Sequence, residues 1–222
     1  MSEACFVCGR KAQRYCTADS GITLESDPAG DYTASHGKVS RPICSVCCGK
    51  GRRRTIDCPE ECPHFRAGAR AALLKLAELG GGPDMELRHG EVLYNLRLAL
   101  SRLRRSRLVD LTDADARQAL ANAGDTMRTR SSGLIYDFRS PAPRAQMLYD
   151  ELVSVATLHE RGEKGMAKTD AATLMRCLKY LERQAAAAEK QVRGATFFID
   201  LIAQSVSREF LTRDPEGLVS GE

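Results

Sequence analysis

A chain that places eight of its nine cysteines within its first 62 residues must fold that end around sulfur. The eight are Cys5, Cys8, Cys16, Cys44, Cys47, Cys48, Cys58 and Cys62. Two pairs have the C-x2-C spacing, Cys5-Phe6-Val7-Cys8 and Cys44-Ser45-Val46-Cys47. A C-x2-C turn holds two sulfurs close enough to share a metal, and two such turns from distant sequence complete a tetrahedron. Structural zinc is the expected ion. Eight sulfurs suffice for two four-coordinate sites, so two zinc ions are expected. The segment up to residue 64 has few large apolar residues. Metal binding would then supply part of its folding free energy.

The sequence leaves the pairing open. One scheme joins Cys5, Cys8, Cys44 and Cys47 in one site and Cys16, Cys48, Cys58 and Cys62 in the other. A competing scheme replaces Cys16 by His64, two residues past Cys62. Cys47 and Cys48 are adjacent, and an extended backbone there would send them to different metals. A single-metal head with spare thiols is a further alternative. An iron–sulfur cluster also takes four thiolates, although the ferredoxin spacings are missing. Redox chemistry by a C-x-x-C pair calls for a βαβ setting, which is not predicted. Disulfides would require export. Met1-Ser2-Glu3-Ala4 offers neither a basic nor an apolar signal region. A cytoplasmic protein with no membrane span is therefore expected.

Composition changes near residue 64, from Cys, Gly and Pro to Ala, Leu, Arg and Glu. This suggests a cysteine-rich, zinc-ribbon-like domain over 1–64 and an α-helical bundle over 65–222, with core helices over 83–212 and a frayed tail over 213–222. The fold class is thus mainly α. Tryptophan is absent, and aromatics make up 5% of the chain, so an aliphatic core is expected. Within the head, turn signals at 27–30 and 35–37 suggest a hairpin built on Ile22, Leu24, Val39 and Ile43. Ala69, Leu73, Leu76 and Leu79 predict a helix over 65–79, which Gly80-Gly81-Gly82-Pro83 ends. Leu93, Leu96, Leu100 and Leu103 make one buried stripe of a helix over 84–107. Thr112-Asp113-Ala114-Asp115 resembles a capping box with Asp in place of Glu. Residues 134–138 read as extended, and Pro141 and Pro143 suit the first turn of a helix over 143–161. A helix after Thr169 carries the stripe Leu174, Leu178, Leu181, Ala185 and Ala188. A last helix, over 193–210, carries Phe197, Phe198, Leu201, Ile202 and Phe210.

Cys44-Ser45-Val46-Cys47-Cys48-Gly49, then Cys58-Pro59 and Cys62-Pro63, resemble the head of a group of uncharacterised bacterial proteins. In that group a C-x2-C-C-G turn, a basic segment and a C-P-x2-C-P turn precede a helical body. Ser132–Asp137, followed by Pro141 and Pro143, is similar to a stretch of those bodies. The resemblance implies a metal-binding head on a bacterial helical protein and brings no activity with it.

Outside the cysteines, chemistry is sparse. The net charge of +4 is too mild to argue for nucleic acid alone. Lys50, Arg52, Arg53 and Arg54 form a basic run between the metal turns. They are candidates for phosphate contact or for offsetting the thiolates, since eight thiolates and two Zn²⁺ sum to −4. Residues 65–108 hold nine Lys/Arg against four Asp/Glu. Arg102 and Arg105 are expected to face outward there and join the nucleic-acid candidates, whereas Arg97 and Arg104 flank the leucines. His159 is expected to be a satisfied, half-buried side chain, and Cys177 a small core residue. No catalytic triad, P-loop or other enzyme motif is present. The expected function is a non-catalytic zinc-binding interaction protein whose partner is nucleic acid or a nucleic-acid-associated protein complex. An iron–sulfur or thiol redox protein and a protein-assembly adaptor acting through the bundle are the alternatives. The oligomeric state is not legible.

Overall fold

A computed structural model describes residues 3–16, 18, 40–52, 55–56, 58–59, 62–106, 110–190 and 195–206. Among these residues the chain is mostly helical, with seven helices and one two-stranded sheet. It divides into two units, Met1–Gly68 and Ala69–Glu222.

In the first unit, β1 (Arg14–Cys16) pairs antiparallel with β2 (Arg41–Ile43), with Arg14 opposite Ile43 and Cys16 opposite Arg41. Pro42 is tolerated because a strand with one neighbour needs donors on one side only. Helix α1 (Ser45–Gly51) follows at once. The buried cluster here is Cys5, Ile43, Cys44 and Cys48, with Cys16, Cys47 and Ile56 packed on it. Among the described residues two isoleucines are its aliphatic members, and the rest of the cluster is cysteine. Ile22, Leu24 and Val39 of the expected hairpin lie outside the described residues.

Helix α2 (Pro63–Gly80) begins two residues before the expected Phe65, because proline is tolerated in a first helical turn. Its buried face is Phe65, Ala72, Leu76 and Ala77. The expected stripe was displaced: Leu73 is 37% exposed, and Ala72 turns inward in its place. Gly80 ends the helix against Tyr180, where an added Cβ would collide with Cε2 of that ring. Tyr180 is 1% exposed and has little room to yield. Gly80→Ala should therefore cost about 1–3 kcal/mol through overpacking, read as a lowered thermal midpoint. An unchanged midpoint would show that the contact relaxes freely.

The second unit collects α3 (Asp84–Ser106), α4 (Asp113–Ser131), α5 (Pro143–Arg161), α6 (Ala171–Glu189) and α7 (Phe197–Ser205) around one aliphatic core. The stripes of α3 and α6 are buried as expected: Leu93, Leu96 and Leu100, and Leu174, Leu178 and Leu181, are fully inaccessible. Helix α3 bends at His89, whose backbone leaves helical geometry. The capping box at Thr112 forms with Asp115 in both directions. Helix α7 is shorter than expected, and Phe210 lies outside the described residues. Its start is held from a distance. Thr196 makes no side-chain cap, and the Asp113 carboxylate accepts the Phe198 and Ile199 amides at 2.8 and 3.1 Å.

Two arginines beside the leucine stripe do structural work. Arg97 is 3% exposed and donates to Glu86. Arg104 donates to the Leu111 carbonyl and lies 3.6 Å from Asp200. His159 is fully buried rather than half-buried. One ring nitrogen lies 3.1 Å from Asn95 and the other 3.1 Å from the Ala167 carbonyl. Cys177 is buried in the same core. No helix among the described residues is long and apolar enough to cross a membrane.

Candidate metal centre

The two C-x2-C turns converge. One ligand atom from each of Cys5, Cys8, Cys44 and Cys47 falls in a group whose members all lie within 4.8 Å of one another. The Cys8 and Cys44 sulfurs are 3.7 Å apart. A tetrahedron with metal–sulfur bonds of about 2.3 Å has edges of about 3.8 Å, so this pair already has the spacing of two thiolates on one zinc.

Local structure explains the convergence. Cys44 follows β2 directly and serves as N-cap of α1, and its sulfur accepts the Cys47 amide at 3.4 Å. That cap aims Cys44 and Cys47 to the same side. The first turn closes through Gly9 N–H to the Cys5 carbonyl at 2.8 Å, with Gly9 at a positive φ of 71°. Phe6 N–H to the Pro42 carbonyl, at 2.9 Å, ties this turn to β2. Sequence positions about 36 residues apart are thereby brought onto one centre.

The thiols are electrostatically unequal. Burial raises the Cys5 thiol, but hydrogen bonds from the Cys44, Val7 and Cys8 backbone outweigh it and bring it down to about 6. Cys44 is lowered chiefly by the Cys47 backbone amide. Cys47 is pushed up to about 12, first by hydrogen bonding to the sulfurs of Cys8 and Cys44. The arrangement favours thiolate at Cys5 and Cys44 and disfavours it at Cys47. A cation binding there would displace thiol protons, since the thiolate is the ligand.

The other sulfurs are not gathered in this way. None of the nine cysteines is joined in a disulfide. Among the described residues, no group of three or more of Cys16, Cys48, Cys58, Cys62 and His64 reaches the same mutual closeness. Cys48 is buried, 3.7 Å from the Arg14 guanidinium. Cys47 and Cys48 diverge, though not on extended backbone as expected. They sit on helix α1, where consecutive residues point about 100° apart.

Lys50 is exposed. Arg52 is 8% exposed, its guanidinium lying so close over Gly68 of α2 that an added Cβ would collide with it. It packs within the first unit rather than facing solvent. Arg53, Arg54 and the Arg105 side chain lie outside the described residues. Arg102 belongs to the second unit and is half-buried, with burial lowering its pKa. The turn positions themselves carry exposed apolar side chains, which the basic run does not signal. Phe6, Val7 and Val46 stand between the ligands at 38%, 55% and 51% exposure.

No protein-family model matches this chain, and no curated protein or solved structure is detectably similar to it.

Proposed function

We propose that this chain is a non-catalytic, zinc-binding interaction protein. In this proposal Cys5, Cys8, Cys44 and Cys47 hold one Zn²⁺ in a zinc-ribbon-like head, and the second unit is an α-helical bundle. The partner is nucleic acid or a nucleic-acid-associated complex. The observation that carries the metal assignment is the mutual closeness of four thiols, all within 4.8 Å. Clusters of two or four irons bind their four thiolates on different iron atoms, so those sulfurs spread beyond one tetrahedron. A single ion collects them on one. Among single ions, Zn²⁺ suits a closed tetrathiolate site with no open position for substrate. The same closure argues against catalysis at the metal. A second ion on Cys16, Cys48, Cys58 and Cys62 would have to draw those four sulfurs together.

Elemental analysis and a visible spectrum of the purified protein test the assignment. Zinc in a colourless protein is expected, because Zn²⁺ is d¹⁰. Iron with labile sulfide and visible absorption would replace this proposal with the iron–sulfur one.

A further inference from the structure

We propose that residues 134–140 form an open β-edge through which two copies of this chain pair antiparallel about Phe138. This goes beyond the proposed function and rests neither on the metal nor on the nucleic-acid partner. The segment runs between α4 and α5, outside both helices. Its backbone bonds alternate. The Leu134 amide donates to the Thr129 carbonyl at 2.9 Å, and the Tyr136 carbonyl accepts from the Thr129 hydroxyl at 3.3 Å. The Phe138 amide donates to the Thr126 hydroxyl at 3.3 Å, and the Ser140 amide to Gln146 Oε1 at 2.7 Å. Even-numbered residues thus bond inward, to α4 and α5. In an extended chain, neighbouring residues turn their backbone groups to opposite sides. Ile135, Asp137 and Arg139 have no backbone partner among the described residues. They make an open edge of the kind that templates a further strand. Apolar side chains stand exposed along it: Leu134 at 62%, Ile135 at 94% and Tyr136 at 60%.

This edge is complementary to itself, which makes a second copy its occupant. Pairing joins open groups to open groups only where odd-numbered residues lie opposite odd-numbered ones. Centring the pair on Asp137 would set that carboxylate against its own copy, and centring it on Tyr136 would set it against Ile135. Centring it on Phe138 sets Asp137 opposite Arg139 twice, and each pair exchanges both its N–H···O bonds. Opposite charges across an antiparallel pair stabilise it, and like charges destabilise it. Asp137 and Arg139 line one surface recess, as residues two apart on an extended chain should. The Asp137 side chain is 57% exposed and lies 3.6 Å from Arg130, which also holds Glu160, so its carboxylate has room for a second cation. The two Phe138 side chains then meet in the closer, non-hydrogen-bonded position. Tyr136 already packs edge-on against Phe138, with centroids 4.8 Å apart, so four rings gather about the axis. A two-fold contact of this kind closes on itself and stops at the dimer.

The test is sedimentation equilibrium of the full-length protein from about 5 to about 1,000 µM, at low ionic strength where exposed charges are least screened. A monomer–dimer equilibrium is expected, with a Kd on the order of 100 µM for so small a contact. Asp137→Arg and Arg139→Asp each set like charges opposite one another across the axis. Each should weaken the dimer about 10- to 100-fold. An equimolar mixture of the two variants should recover it as a heterodimer, because one chain then brings two arginines and the other two aspartates. That recovery would also show that both variants are folded. A monomer over the whole range, or a dimer indifferent to both substitutions, would overturn the proposal. Loss in both variants without recovery in the mixture would overturn the pairing of Asp137 with Arg139 on which it stands.

Discussion

Stripping zinc with a chelator is expected to unfold the cysteine-rich unit and leave the helical unit intact. The buried cluster of the first unit consists of Cys5, Ile43, Cys44 and Cys48, with Cys16, Cys47 and Ile56 against it. Three of those seven, Cys5, Cys44 and Cys47, are proposed ligands. Its sheet is two strands of three residues. The described residues of this unit bury too little apolar area to offset chain entropy without metal. Structural zinc contributes about 10–16 kcal/mol in small zinc domains, as much as the whole stability of a typical domain. The second unit has its own core of some thirty buried residues and should not notice the loss. Far-UV circular dichroism should stay strongly helical while limited proteolysis cuts within 3–52 and spares 84–189. Protease resistance of the metal-free head would show that it folds without the ion. Collapse of the helical signal would show that the two units fold together.

The second large effect concerns Asp113, which is 2% exposed and caps α7 from the start of α4. Asp113→Ala removes both acceptors and strands the Phe198 and Ile199 amides. At about 1–3 kcal/mol for each unsatisfied buried donor, the two together should cost about 2–6 kcal/mol. In a domain of this size that lowers the thermal midpoint by about 5–15 °C. Asp113→Asn keeps an acceptor and should cost less. The pair also has a pH signature. Burial raises the Asp113 carboxyl to about 6, against the lowering effect of the two amides, with Asp200 and Glu189 adding to the rise. A carboxyl raised in the folded state contributes stability that is fully present below its unfolded value near 4 and lost as pH rises through about 6. Wild type should therefore lose stability relative to Asp113→Asn between pH 4 and 7. A difference that is constant over that range would mean that the carboxylate is ionised throughout and that the two amides outweigh its burial.

Much of the helical unit was legible because periodicity is a local signal. Leu174, Leu178 and Leu181 turn inward wherever their helix docks, and Thr112 caps through a partner three residues away. The Leu73 displacement shows the limit. Ala72 and Leu73 are both apolar, and only the neighbouring packing decides which faces in. Asp113 illustrates a deeper gap. It reads as a helix-start acid through local spacing, while its actual partners lie 85 and 86 residues away. At the candidate site, the quartet Cys5, Cys8, Cys44 and Cys47 was legible because C-x2-C spacing encodes a ligand pair. The remaining cysteines have longer, irregular spacings, so the sequence alone could not say which of them share a centre. Arg52 was misleading for the opposite reason. A basic run reads as solvent-facing, yet the glycine at position 68 makes room for this guanidinium on α2.

The most direct test of the tetrathiolate centre is native mass spectrometry of the wild type beside the double variant Cys5→Ser, Cys44→Ser. One substitution comes from each turn, so no three-sulfur remnant survives. Wild type should carry zinc, and the variant should carry one ion fewer per chain, whatever other metal the protein holds. A wild type without zinc, or a double variant that keeps its full complement, would contradict the assignment of these four cysteines to one ion.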